Sequence, residues 1–100
     1  MNRPPVKTIK PTAFPVDPDL ATAQDLGAAI RAARTQAGLS LEQAASALGA
    51  AKQTLQDLER GRGTVSVGFA LRAARELGLT LFVARAADQE RIRRTIAADG

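Results

Sequence analysis

Closely spaced glycines restrict residues 22–78 to short helices joined by tight turns. Glycine readily adopts the left-handed conformation that ends a helix, and it occurs here at positions 38, 49, 61 and 78. Three of the segments between these stops start with a residue that can cap a helix. Thr22 and Ser40 each open a capping box, and Ser66 can cap a later segment. The sequence therefore predicts short helices throughout this region, the third of them over about residues 51–60.

Apolar side chains recur three or four residues apart within each predicted helix, which indicates one buried face per helix. The predicted core residues are Leu26, Ile30, Ala33, Ala37, Leu41, Ala44, Ala45, Leu48, Leu55, Leu58, Val67, Ala70, Leu71, Ala74 and Leu77. The chain has no Cys, so this core must hold by packing alone. The pattern predicts a mainly α fold.

The two ends of the chain differ from this helical region. All 5 prolines lie within residues 1–20, and proline removes backbone donors and favours extended geometry. We therefore expect residues 1–21 to form a flexible or extended arm. Residues 85–100 form a charged tail in which Ile92 and Ile96 are one turn apart, a spacing typical of a short amphipathic helix.

One segment after the last glycine favours β-structure. Residues 79–84 read Leu-Thr-Leu-Phe-Val-Ala, which predicts a single strand. A lone strand needs a partner for its backbone groups, either the alternating residues 6–9 or the same strand of a second copy. A two-fold axis satisfies both copies at once, so we favour a dimer. The predicted dimerisation residues are Leu79, Leu81, Phe82 and Val83.

Missing residue types exclude several kinds of chemistry. The chain contains no His and no Cys, which excludes His or Cys metal sites, His acid–base catalysis and a Cys nucleophile. Ser46 has no imidazole to activate it, and residues 61–63 lack the spacing of a phosphate-binding glycine loop. We expect no enzyme activity, no catalytic residue, no metal and no cofactor.

The net charge of +4 fits a polyanion partner or an ordinary soluble surface equally well. No apolar run approaches the ~20 residues that span a bilayer. We therefore expect a cytoplasmic protein with no membrane partner.

Residues 39–61 resemble, without gaps, the helix-turn-helix of Xre-type repressors, which include the phage repressor and Cro proteins. The matching positions are Ala45, Gly49, Leu55 and the closing Leu-Glu-Arg-Gly of residues 58–61. The resemblance implies a phage-repressor-like domain of four helices over residues 22–78. Arg34 and Glu59 match a pair that in this family forms a salt bridge between the first and third helices. Two independently solvated charges are the alternative.

The resemblance further implies that the third helix enters the major groove of DNA. The residues expected to contact bases are Lys52, Gln53, Thr54, Gln56 and Asp57. Phosphate contacts are expected at Ser40, where the second helix begins, and at Arg60 and Arg62. Such a protein binds an inverted repeat of double-stranded operator DNA as a homodimer, with recognition helices ~34 Å apart.

Three positions depart from the family pattern. Leu41 stands where the family usually has a Gln that contacts the DNA backbone. Ala51 stands where a Ser or Thr usually caps the recognition helix, and Ala50 where Val is common. These departures indicate weaker or differently specified DNA binding.

The residues after the core resemble those of HipB-type antitoxins. Thr64-Val65 and residues 71–79 precede the β-favouring segment, which in those proteins pairs across the dimer axis. HipB-type proteins repress their own operon and bind a HipA-type serine/threonine kinase toxin. A stand-alone Xre-type regulator and a protein-binding module with weak DNA affinity are the alternatives.

Arg3, Lys7 and Lys10 of the arm could reach a minor groove, or the arm could be a disordered leader.

Overall fold

The computed structural model of the chain describes residues 8–98, and this part is mainly helical, as the sequence predicts. Its helices are α1 (Ala23–Gln36), α2 (Leu41–Ala47), α3 (Lys52–Glu59), α4 (Val67–Glu76) and α5 (Gln89–Ala98), and a short 3-10 helix (Ala86–Asp88) leads into α5. No helix in residues 8–98 combines the length and the apolar character needed to cross a bilayer.

Side-chain caps mark the starts of α1, α2 and α4, and a left-handed glycine follows each of the first four helices. Thr22 Oγ1 accepts the Asp25 backbone N–H at 3.1 Å, and Asp25 Oδ2 accepts that of Thr22 at 2.9 Å. Ser40 and Gln43 make the same reciprocal pair at the start of α2, and Ser66 caps α4. Positive φ angles of 75°, 64°, 73° and 86° occur at Gly38, Gly49, Gly61 and Gly78. Local chemistry therefore determines where these helices begin and end.

The core lies between α1, α2, α3 and α4. Ile30 and Leu55 are completely buried at its centre, and alanines of α2 and α4 surround them. Three residues predicted for the core are instead exposed: Ala37, Val67 (74%) and Leu71 (50%). Helix α4 turns its alanine stripe inward (Ala70, Ala73 and Ala74), and Leu71 lies at the flank of this stripe. Ala37 and Val67 stand at the ends of their helices, where the core does not cover them.

The strand predicted for residues 79–84 is not formed, so that prediction is wrong for the described chain. Residues 79–85 form neither helix nor strand, and no other segment of residues 8–98 pairs with them. Leu79 and Leu81 pack against the core, whereas Phe82 and Val83 are exposed. Side-chain packing of Leu79 and Leu81, and not a backbone ladder, therefore attaches this segment to the core. Residues 6 and 7 of the alternative pairing segment lie outside the described residues.

The described part of the arm, residues 8–21, forms neither helix nor strand and contacts the end of α1. The Thr12 backbone N–H donates to Thr35 Oγ1 at 2.9 Å, and Gln36 Nε2 donates to the Thr12 carbonyl at 2.9 Å. Arg3 and Lys7 lie outside the described residues, and Lys10 is exposed. Two hydrogen bonds at Thr12 therefore attach the arm to the last turn of α1.

The same arm is linked to α5 by charged side chains. Arg93 contacts both oxygens of Asp17, at 3.1 and 2.9 Å, and Gln89 Nε2 donates to Asp19 Oδ2 at 2.7 Å. A hydrogen bond from the Asp19 backbone, followed by the one from Arg93, lowers the pKa of Asp17 below its ordinary value. Polar contacts thus help hold α5, whose Ile92 and Ile96 remain partly exposed.

Candidate nucleic-acid interface

Helices α2 and α3 are joined by a tight turn at Gly49. The Ala50 backbone N–H donates to the Ala45 carbonyl at 2.9 Å, which closes the end of α2 around the left-handed glycine. Arg72 of α4 donates to the Leu48 carbonyl at the same turn. Sequence reasoning did not identify Arg72, because its partner is a backbone atom 24 residues away. A backbone hydrogen bond within the turn and a side-chain hydrogen bond from α4 therefore both stabilise it.

Helix α3 separates a polar face from a buried face. Leu55 and Leu58 are 0% and 5% exposed and anchor the helix to the core. Helical spacing of 100° per residue places five polar residues together on the opposite face. They are Lys52, Gln53, Gln56, Asp57 and Arg60. Thr54, also predicted to contact bases, lies at the border of this face next to Leu58 and is partly buried.

Several of the predicted DNA-contacting residues are paired with each other. Gln53 Nε2 donates to Asp57 Oδ1 at 2.9 Å, and Arg62 Nη1 lies 3.6 Å from the same oxygen. Lys52 Nζ lies 2.8 Å from Glu42 Oε1 of α2. The polar face of α3 is therefore an ordered network and not a set of independent side chains.

Arg34 and Glu59 form a buried ion pair beneath this face. Arg34 Nε and Nη2 lie 2.6 and 2.9 Å from the two carboxylate oxygens, and Nη1 donates to the Leu39 carbonyl at 2.8 Å. The two side chains are only 8% and 6% exposed. A single guanidinium thus joins α1, the last residue of α3 and the loop before α2.

A cleft of about 160 Å³ lies where α1, α2 and α3 meet. Leu41 and Gln56 line it together with the Arg34–Glu59 pair and the exposed residues Arg31 and Arg60. Neither of these two arginines is paired with an acidic side chain of residues 8–98. Arg31 was not among the predicted site residues, although its position three residues before Arg34 on α1 places both on one side of that helix. The cleft therefore presents two available cations beside the polar face of α3.

The beginnings of α2 and α3 differ in their caps. The Ser40 hydroxyl accepts the Gln43 backbone N–H at 3.1 Å, so this side chain is engaged within the protein. Ala51 precedes α3 without any side-chain cap. The first turn of α3 therefore keeps backbone N–H groups that no capping side chain satisfies.

The residues predicted for dimerisation lie apart from α3. Leu79 and Leu81 are partly buried, whereas Phe82 and Val83 are 84% and 102% exposed. They border an apolar groove of about 610 Å³ between the arm, α1 and α5. Other apolar residues lining it are Phe14, Leu20, Ala29, Ile92 and Ile96.

A family model described as a helix-turn-helix domain matches residues 25–92, from α1 into α5. This match does not distinguish the Xre-type or HipB-type subgroups. No curated protein and no solved structure matches the chain.

Proposed function

The chain belongs to the helix-turn-helix domain family, and from this premise we propose that it is a sequence-specific DNA-binding transcriptional repressor that acts as a homodimer. The observation that carries the proposal is the polar face of α3, which is exposed at Lys52 and Gln53 while the opposite face is anchored by Leu55 and Leu58. An α-helix fits the major groove, which is ~12 Å wide. Lys52 suits guanine and Gln53 suits adenine.

Cationic residues around α3 suit the DNA backbone. Arg60 follows the helix and Arg31 reaches the cleft beside it, whereas Arg62 is paired with Asp57. Arg31 stands next to Leu41, which replaces the backbone-contacting Gln of similar proteins and has no polar group. We infer that Arg31 and Arg60 bind a phosphate at this cleft, and that the uncapped N–H groups in the first turn of α3 and the start of α2 after Ser40 bind others.

Selection from random duplex DNA tests the proposal directly. The protein should enrich an inverted repeat, and the logarithm of its affinity should fall linearly with the logarithm of the salt concentration as arginine and lysine displace counterions. Failure to capture any duplex at low ionic strength would refute the proposed function.

Replacing Gln53 with alanine should weaken binding to the selected sequence by ~1–3 kcal/mol and relax one base position. The reason is that a two-point hydrogen bond to one base is lost while phosphate contacts remain. Repeating the selection with the variant measures the relaxed position. A uniform loss on all sequences would reassign Gln53 to the DNA backbone.

Replacing Arg31 with alanine should weaken cognate and random duplexes by the same factor and reduce the slope of the salt dependence by ~0.9, the value of one lost phosphate contact. Arg85 offers a matched control, because it lines the apolar groove and not the cleft. An effect of Arg31→Ala confined to the cognate sequence would contradict a phosphate contact.

We infer that the homodimer forms through the exposed apolar residues near the end of the chain. Phe82 and Val83 are exposed beside an apolar groove, and an exposed apolar patch of this kind often marks a protein–protein contact. Phe82→Ser should therefore shift sedimentation velocity profiles towards the monomer. Val67→Ser removes another exposed apolar side chain, on α4, and should leave the dimer intact. An unchanged dimer in Phe82→Ser would place the interface elsewhere.

We further infer that the repressor is the antitoxin partner of a HipA-type kinase. Support comes from the resemblance of residues 58–79 alone, because the strand that completed the likeness is not formed within residues 8–98. A kinase-like reading frame beside the gene would favour the antitoxin, and its absence a stand-alone regulator.

A further inference from the structure

We propose that Asp57 is a positioning residue for sequence discrimination, which orients Gln53 for base reading and restrains Arg62 from phosphates. This inference rests on the proposed DNA binding. One oxygen, Asp57 Oδ1, contacts both residues, at 2.9 Å from Gln53 Nε2 and 3.6 Å from Arg62 Nη1. A carboxylate at this position would otherwise oppose DNA binding, since it repels phosphates.

The contact with Gln53 selects one orientation of its amide. An ionised carboxylate only accepts hydrogen bonds, so the amide nitrogen, and not its oxygen, must face Asp57. Gln53 then keeps its Oε1 and one N–H available. These are the acceptor and donor that adenine N6 and N7 require. Because Gln53 is exposed, this restraint also reduces the side-chain entropy that binding would otherwise remove.

The contact with Arg62 follows from the end of α3. Gly61 adopts a φ of 73°, and the Arg62 backbone N–H donates to the Asp57 carbonyl at 2.9 Å. This turn brings Arg62 back over the residue five positions earlier. The Asp57 side chain is 20% exposed and that of Arg62 57%, so the pair is only partly screened by solvent. The carboxylate offsets one positive charge that would attract DNA of any sequence.

The two contacts act in opposite directions on binding. Holding Gln53 favours the cognate sequence, whereas holding Arg62 disfavours all sequences alike. Removing the Asp57 carboxylate should therefore strengthen non-specific binding and weaken discrimination at the same time. A purely structural role predicts a different result, because loss of folding weakens both.

The test compares Asp57→Ala with the unchanged protein by fluorescence anisotropy over a range of salt concentrations. The probes are the selected duplex, the same duplex altered at the base pair relaxed in Gln53→Ala, and a random duplex. We expect several-fold tighter binding to random DNA and a salt slope steeper by ~0.9. We also expect roughly tenfold weaker discrimination at that base pair, within the range for a two-point base contact.

Glu42→Gln is the matched control. It removes the same charge from the same surface, but its carboxylate contacts Lys52 and not Gln53. It should increase non-specific binding and preserve discrimination at the Gln53 base pair. Thermal unfolding followed by circular dichroism shows whether each variant is folded.

The outcomes separate the two proposals. If the unchanged protein captures no duplex, the proposed function fails, and this inference fails with it. If the unchanged protein binds but Asp57→Ala discriminates as before, only the positioning role is overturned. Parallel losses on cognate and random DNA with a lowered melting temperature would likewise overturn it, in favour of a structural role.

Discussion

Replacing Glu59 with alanine is expected to lower the free energy of unfolding by about 3–5 kcal/mol, which would leave a small domain with little stability. The substitution removes both carboxylate oxygens from Arg34 and leaves a guanidinium whose side chain is only 8% exposed. Its remaining contact, to the Leu39 carbonyl, cannot neutralise the charge. Urea denaturation followed by circular dichroism measures the loss.

An exposed ion pair provides the comparison. Arg91 and Asp88 lie 3.0 Å apart, but their side chains are 72% and 40% exposed. Asp88→Ala should therefore change stability by less than about 1 kcal/mol. Replacing Arg34 and Glu59 together with apolar residues should recover part of the loss, because no unpaired charge then remains buried. A Glu59→Ala protein as stable as Asp88→Ala would contradict the assignment of Arg34–Glu59 as a stabilising pair.

The helix ends could be predicted because their chemistry is local. A capping hydroxyl acts on an N–H three residues away, and a left-handed glycine acts on its own backbone. Thr22, Ser40 and Gly49 therefore carry their signal within a few residues of sequence. The mainly helical fold follows from such signals.

The errors concern interactions over longer distances. The composition of residues 79–84 favours a strand, but a strand exists only where another backbone pairs with it. Leu79 and Leu81 instead pack against the helical core. Spacing alone places Val67 in the core, but it does not show how far the buried stripe extends along α4 towards its first residue. Neither the pairing of a strand nor the extent of a buried helix face can be read from the sequence of one segment.

In the candidate site, too, local features could be predicted from the sequence and contacts between side chains could not. The polar residues of α3 could be identified from helical spacing and the family resemblance. Their mutual contacts could not, since rotamers decide whether Asp57 meets Gln53, Arg62 or solvent. Arg31 was missed because the cleft beside Leu41 is built from three helices. Sequence reasoning thus proposes a surface, and the structure shows how that surface is ordered.

Replacing Gly27 with alanine is expected to destabilise the protein by about 3 kcal/mol, the upper end of the usual range for overpacking. An added Cβ at this buried position would lie 2.5 Å from the carbonyl oxygens of both Leu58 and Glu59. These are backbone atoms at the end of α3, so they cannot move aside as a flexible side chain would. Helices α1 and α3 must separate, which also strains the ion pair between Arg34 and Glu59.

Gly68 of α4 shows what alanine does where space is available. A Cβ at Gly68 would meet no atom within 4 Å, so Gly68→Ala should be neutral or stabilising by up to about 1 kcal/mol. Thermal unfolding should separate the two variants widely, because 1 kcal/mol corresponds to roughly 4–8 °C in a domain of this size. Equal melting temperatures would mean that α1 and α3 approach less closely than the Gly27 contact requires. The polar face of α3 would then lack the rigid support on which the proposed base reading by Gln53 depends.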